Sequence, residues 1–197
     1  MGLTIYYKGI FNPKTSLLEM IDEVQDVAEI HKWDYHIFEK QFPKGTLGKK
    51  KFNENIYGIL FTPHKKSEPI WLCFLSNGTL CSPTMLEHWL KTKDKKYKRL
   101  IPGNFTKTQY AGPDVHKIVI DLFRYLSKKY FKSFSMVDES KYWETKDEKI
   151  LQKTFQEWSG LMDGFAAVLE TIKPRKTEKL ENVIKRAARK VHVRRKK

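Results

Sequence analysis

Cysteine is scarce in this sequence: only Cys73 and Cys81 occur among 197 residues. Two cysteines at this spacing do not form a structural zinc site, which takes four Cys or His ligands. An Asn-Gly pair commonly closes a two-residue hairpin loop. With such a loop at Asn77-Gly78, side-chain alternation directs the two thiols to opposite faces. We therefore predict no disulfide, no metal and no cofactor, and two buried thiols that act as small apolar side chains.

Long apolar runs are missing as well. The longest, at 56–61 and 70–75, are far shorter than the about 20 residues that span a bilayer. The sequence also opens without the charged and then apolar leader that is typical of secretion. These observations predict no transmembrane segment and favour a cytoplasmic location. The oligomeric state is left open.

Motifs that define a reaction are few. Pro113-Asp114 followed by Glu139-Ser140-Lys141 matches the two carboxylates and the lysine of divalent-metal-dependent nucleases. In that chemistry the carboxylates hold the cation and the lysine positions or activates water, so all three must converge on adjacent strands. Here the sequence predicts that Asp114 begins a helix and that Glu139 lies in a turn. Asp114, Glu139 and Lys141 are thus weak catalytic candidates, and an enzyme is not our leading interpretation.

Negative charge is outweighed by positive charge, and the excess is concentrated at one end. The whole chain carries a net charge of +15. Residues 173–197 contain twelve Lys or Arg against two Glu, so this segment contributes +10 and residues 1–172 contribute +5. A block of this kind indicates an anionic partner, which can be nucleic acid, an acidic protein surface or anionic lipid.

The basic segment also has a helical pattern. Apolar residues recur at helical spacing over 180–191, opposite a basic face, so the apolar stripe can dock on a partner or on the chain's own domain. The residues predicted to contact phosphate are Lys185, Arg186, Arg189, Lys190, Arg194 and Arg195. Segments 44–51 and 91–99, interpreted as basic surface loops, add Lys49, Lys50, Lys51, Lys95, Lys96, Lys98 and Arg99. Five such contacts to a duplex would give a slope of about −4.5 for log K against log salt.

The order of predicted elements indicates the fold class. A strand, a helix and a strand are followed by three or four strands and then by a helix, a strand and two helices. This order predicts an α+β fold with a mainly antiparallel sheet built around a central hairpin at 70–82 and packed by two or three amphipathic helices. We assign residues 1–172 to one globular domain and residues 173–197 to a basic helical tail.

The leading functional hypothesis is a non-catalytic accessory protein that binds nucleic acid or a nucleoprotein through the basic tail. The sequence does not distinguish RNA from DNA. One alternative is a protein-interaction or regulatory subunit whose tail helix docks on an acidic partner. The other is the divalent-metal-dependent nuclease described above.

Overall fold

A computed structural model describes residues 3–173 and 179–194, with side chains up to Lys190. These residues form an α+β fold, as the element order predicts, but the strands divide into two antiparallel three-stranded sheets. The first sheet has the order β5-β1-β6, formed by Asn104–Lys107, Thr4–Phe11 and Phe131–Asp138. The second has the order β2-β3-β4, formed by Asp34–Ile37, Tyr57–Thr62 and Ile70–Phe74.

Helices pack against both sheets. Helix α1 (Leu17–His31) packs on β3, and helix α4 (Pro113–Tyr130) packs beside β6. The remaining helices are α2 (Pro83–Thr92), α3 (Lys95–Leu100), α5 (Tyr142–Thr145), α6 (Glu148–Thr171) and α7 (Leu180–Arg194). One apolar core joins the inner faces of both sheets and includes Tyr7, Phe11, Ile59, Phe74 and Phe123. Burial of such side chains is the main contribution to the stability of the fold.

The central hairpin differs from the predicted one by one residue. Phe74 bridges Leu80, and the Leu75 amide donates to the Thr79 carbonyl, so three residues rather than two close the loop. Of the two turn residues only Gly78 has a positive φ, +84°. This geometry fits a turn followed by a glycine bulge, whereas the two-residue loop that we predicted needs positive φ at both residues.

The corrected register also changes the relation of the two cysteines. The Cys81 amide donates to the Cys73 carbonyl at 2.8 Å, so the two residues oppose each other and share one face. Both thiols are free and lie in a small buried cluster with Leu75, Leu86 and Ile101. The prediction of opposite faces was therefore wrong. Burial raises the pKa of both thiols, that of Cys81 to about 12, and this keeps them protonated and unreactive near neutral pH.

The turn after β4 connects the two sheets. The Phe11 amide donates to the Gly78 carbonyl at 2.8 Å, and the Leu80 amide donates to the Gly9 carbonyl at 2.9 Å. The second arm of the hairpin thus pairs with β1 of the first sheet. This backbone junction fixes the first sheet relative to the second.

The basic tail helix packs on the preceding helix. Val183 and Ala187 of α7 are buried against Val168 and Ile172, at the end of α6, in a cluster separate from the main core. The sequence leaves open whether the apolar stripe docks on a partner or on the chain's own domain. In the described residues the stripe packs on the chain itself, against the end of α6. Deleting residues 173–197 would uncover Val168 and Ile172, so charge substitutions test the tail more cleanly than truncation does.

Candidate nucleic-acid interface

The outer face of the first sheet carries large exposed side chains. Alternation along β1 turns Ile5 and Tyr7 into the core and leaves Tyr6 on the outside. Tyr6 is 45% exposed, Phe105 on β5 is 53% exposed and Val137 on β6 is 54% exposed. A contiguous exposed apolar patch on a sheet is typical of a binding surface.

Two of these side chains form an aromatic pair. Tyr6 and Phe105 are directly opposed on neighbouring antiparallel strands. Their ring centroids are 6.4 Å apart with an angle of 44° between the ring planes. Exposed rings on adjacent strands provide surfaces on which unpaired nucleobases can stack.

The end of α3 turns this face into a groove. Its first section has a volume of about 500 Å³ and is lined by Tyr6, Lys8, Arg99, Leu100, Phe105 and Val137, among others. A second depression of about 370 Å³ continues along Ile10 and Ser133, and both sections include Lys8 and Ser135. The groove therefore has an apolar floor with cationic side chains from a strand and from a helix.

Helix α3 places a row of cations beside the groove. The sequence predicts a basic loop at 91–99, but the chain there forms the end of α2 and most of α3. The Asp94 side chain caps α3 by accepting from the Lys96 amide at 2.8 Å. All four of its basic side chains are exposed: Lys95, Lys96, Lys98 and Arg99. Only Arg99 lines the groove itself, and Lys98 lies over the Trp89 ring at 5.1 Å.

The other basic loop is anchored at the hairpin turn. The Thr46 hydroxyl donates to the Ser76 carbonyl at 2.6 Å, and the Gly48 amide donates to the Asn77 carbonyl at 3.0 Å. The lysines at the end of this loop are exposed, but they do not belong to the groove lining: Lys49, Lys50 and Lys51. They remain predicted contacts away from the groove.

The tail residues have several different environments. Lys185, Arg189 and Lys190 are exposed, and Lys185 forms an ion pair with Glu181 one turn earlier. The Arg186 guanidinium donates to the Lys173 carbonyl at 3.0 Å, which ties α7 to the end of α6. The Arg194 side chain and all of Arg195 lie outside the described residues.

The three residues that match the nuclease motif lie at the start of a helix and in the turn between β6 and α5. Asp114 is exposed in the first turn of α4. Glu139 follows β6, and its Oε2 accepts from the Thr4 amide at 2.8 Å. Lys141 precedes α5 with φ of +66°. Within residues 3–173 and 179–194, no group of three His, Cys, Asp or Glu side chains is arranged to hold a metal ion.

A buried polar network lies close to these candidates and was not predicted from the sequence. His116 Nδ1 is 2.6 Å from the Thr108 hydroxyl, and His116 Nε2 is 2.9 Å from the Ser140 hydroxyl and 3.2 Å from Asp138 Oδ1. The Ser140 hydroxyl donates to Asp138 Oδ2 at 2.7 Å. All four side chains are fully buried. They resemble a Ser-His-Asp set in composition, but burial keeps substrate away from the hydroxyl, so we assign them a structural role.

The electrostatics of the network favour an ionised Asp138. Burial raises the pKa of this carboxyl, but hydrogen bonds and charge interactions, first from His116 and then from Ser140, outweigh that effect and lower it to about 2. The carboxylate also accepts from the Ser140 and Trp143 amides at 2.9 and 3.0 Å. Asp138 thus fastens the end of β6 to α4 and to the turn that begins α5.

No family model, curated protein or solved structure matches this sequence. Among the described residues, none of the helices combines the length and the apolar character needed to cross a membrane. The function of the groove is therefore inferred from the geometry and chemistry of the groove alone.

Proposed function

We propose that this protein is a non-catalytic module that binds single-stranded nucleic acid along the outer face of its first sheet. The exposed Tyr6–Phe105 pair, in a groove bordered by the basic helix α3, is the observation that carries this proposal. Bases stack on the two rings, while Lys8 and Arg99 contact the phosphates that pass along the groove.

A single strand fits this surface better than a duplex does. In a duplex the base faces are stacked on each other and do not reach exposed rings on a protein surface. The α3 cations extend the positive charge beyond the groove, so a longer strand gains further phosphate contacts. An RNA and a DNA strand both satisfy these requirements.

The tail helix supplies a second set of phosphate contacts. Because Val183 and Ala187 are covered by α6, a ligand meets mainly the polar side of α7, which includes Lys185, Arg189 and Lys190. The proposal therefore retains the predicted phosphate-binding role of the tail and adds base contact on the sheet. An acidic protein as the partner is the competing outcome of the experiments below, because it would use the cations without needing the two rings.

We also propose that the protein acts in the cytoplasm. Its two thiols are free although they oppose each other across the hairpin. Free thiols in such a position suit a reducing compartment.

Salt titration of binding tests the proposed phosphate contacts. A labelled strand of about 15 nucleotides, near the upper end of common site sizes, and the matching duplex are titrated with protein at several salt concentrations. We expect tighter binding to the single strand and a steep loss of affinity with salt. Failure to bind either ligand at low salt, or equal affinity for the two, would contradict the proposal.

Charge variants then show which surface causes the salt dependence of binding. Replacing Lys185, Arg189 and Lys190 together by glutamine is expected to make the slope of log K against log salt shallower by about 2, since each phosphate contact to a single strand contributes about 0.7. The matched control replaces Lys128, Lys149 and Lys153, which are exposed on α4 and α6. An equal change in the control would show that net charge, not the tail surface, drives binding.

A further inference from the structure

A small side pocket adjoins the groove behind Phe105. It has a volume of about 220 Å³ and lies between the start of β4, the start of α2 and β5. Its lining includes Glu68, Trp71, Ser82, Thr84, Asn104 and Phe105. Phe105 and Asn104 line both this pocket and the main groove, so the two spaces meet at β5. The volume is below that of pockets for drug-sized ligands and suits a single planar ring.

Asn104 is the unusual residue of this pocket. Its side chain is only 3% exposed, yet neither its amide nitrogen nor its amide oxygen has a hydrogen-bond partner. A buried amide without partners costs free energy, and native proteins rarely keep one without a reason. Both atoms are closed off from solvent, so a ligand that offers one acceptor and one donor side by side would satisfy them once the Asn104 side chain turns into the pocket.

The carboxylate of Glu68, which also lines the pocket, limits which ligands can bind there. Glu68 Oε2 accepts from the Lys107 amide at 3.0 Å, which holds the Glu68 side chain at the edge of the pocket. An ionised carboxylate only accepts hydrogen bonds, so it favours a ligand edge that is rich in N–H groups. The half-buried Trp71 side chain adds an aromatic surface to the same pocket.

Resting on the proposed function, we propose that the side pocket receives one base of the bound strand and that Asn104 and Glu68 read its edge. The bases selected are those with an exocyclic amino group, such as adenine and cytosine. Their amino group donates to Glu68 or to the Asn104 oxygen, while a ring nitrogen accepts from the Asn104 amide. Uracil can pair its one N–H and a carbonyl with the Asn104 amide, but it then has no second N–H for Glu68, so the carboxylate is left facing a carbonyl acceptor. Binding is therefore base-selective at one position of an otherwise sequence-tolerant site.

Homopolymer binding tests this selection. Adenine, cytosine and uracil oligonucleotides of about 15 nucleotides are titrated with the wild-type protein, with Asn104→Leu, and with Asn55→Leu as a matched control at an exposed asparagine. We expect the wild type and the control to bind the adenine and cytosine strands about tenfold more tightly than the uracil strand. Asn104→Leu is expected to lose this preference with an unchanged or higher melting temperature, because leucine replaces an unpaired buried amide at similar volume.

A second variant keeps the test informative if Asn104→Leu is poorly folded. Glu68→Gln retains an oxygen for the Lys107 amide and turns a donor towards the pocket, so it is expected to reduce the preference against uracil. Equal wild-type affinity for the three strands, or a preference that survives in both variants, would overturn the base-reading role while leaving the proposed function intact. Absence of binding to all three strands would overturn the proposed function itself.

Discussion

Replacing Tyr6 and Phe105 together by alanine is expected to lower the affinity for a single strand by at least about thirtyfold. Each base stacked on an aromatic side chain contributes about 1–3 kcal/mol, and about 1.4 kcal/mol corresponds to a factor of ten. Both rings are about half exposed, so their removal takes little apolar area from the core. The melting temperature is therefore expected to change little.

The stacking prediction has a matched control and a clear contrary outcome. Tyr125 on α4 is 49% exposed, similar to Tyr6, and lies away from the groove lining. Tyr125→Ala should leave the affinity unchanged, as measured by fluorescence anisotropy under the same salt conditions. Unchanged affinity of the folded double variant would exclude the sheet face as the base-contacting surface and would return attention to the tail cations.

Replacing Asp138 by alanine is expected to destabilise the fold by about 3–5 kcal/mol, because several buried donors lose their acceptor at a cost of about 1–3 kcal/mol each. The carboxylate is fully buried and accepts hydrogen bonds from two backbone amides and from the Ser140 hydroxyl. Its loss leaves the Ser140 and Trp143 amides without their acceptor and removes one partner each from His116 and the Ser140 hydroxyl, which still contact each other. Urea unfolding measures the change directly. Asp121→Ala, which removes an exposed partner of Arg124, is the control and should cost less than about 1 kcal/mol.

The pH dependence of stability follows from the same carboxyl. The pKa of Asp138 is lowered in the folded protein to about 2. The contribution of its ionised form to the free energy of unfolding is therefore complete above the ordinary value of 3.8 and is lost as the pH falls towards 2. The contribution is roughly 2 kcal/mol. We expect the difference in unfolding free energy between the wild type and Asp138→Asn to shrink between pH about 4 and about 2. A difference that stays constant over this range would mean that Asp138 has no lowered pKa.

Much of the architecture is readable from the sequence. The apolar stripes of α1 and α4, and the strands that begin at Thr4 and Ile70, follow from periodicity and β-branched or aromatic content. The α+β class followed from their order. The hairpin register did not, because Asn77-Gly78 suits both a two-residue loop and a three-residue loop with a glycine bulge.

The candidate site was harder to foresee. Tyr6 and Tyr7 are adjacent and identical, so the sequence does not reveal which of them faces solvent. Phe105 lies about 100 positions further along the chain, and only the pairing of β1 with β5 brings it next to Tyr6. The network of Thr108, His116, Asp138 and Ser140 likewise depends on tertiary convergence. Helix α3 has few apolar residues, so its lysines resemble those of a solvated loop.

The most direct test of the account is photo-cross-linking of a labelled single strand, followed by mass spectrometry of the attached peptides. We predict cross-links on the strand that contains Tyr6 and on the strand that contains Phe105, since both rings lie in the groove. The Tyr6→Ala, Phe105→Ala protein should lose these cross-links while the folded state is retained. Cross-links confined to residues 180–194, with none on β1 or β5, would contradict the assignment of the sheet face as the binding surface.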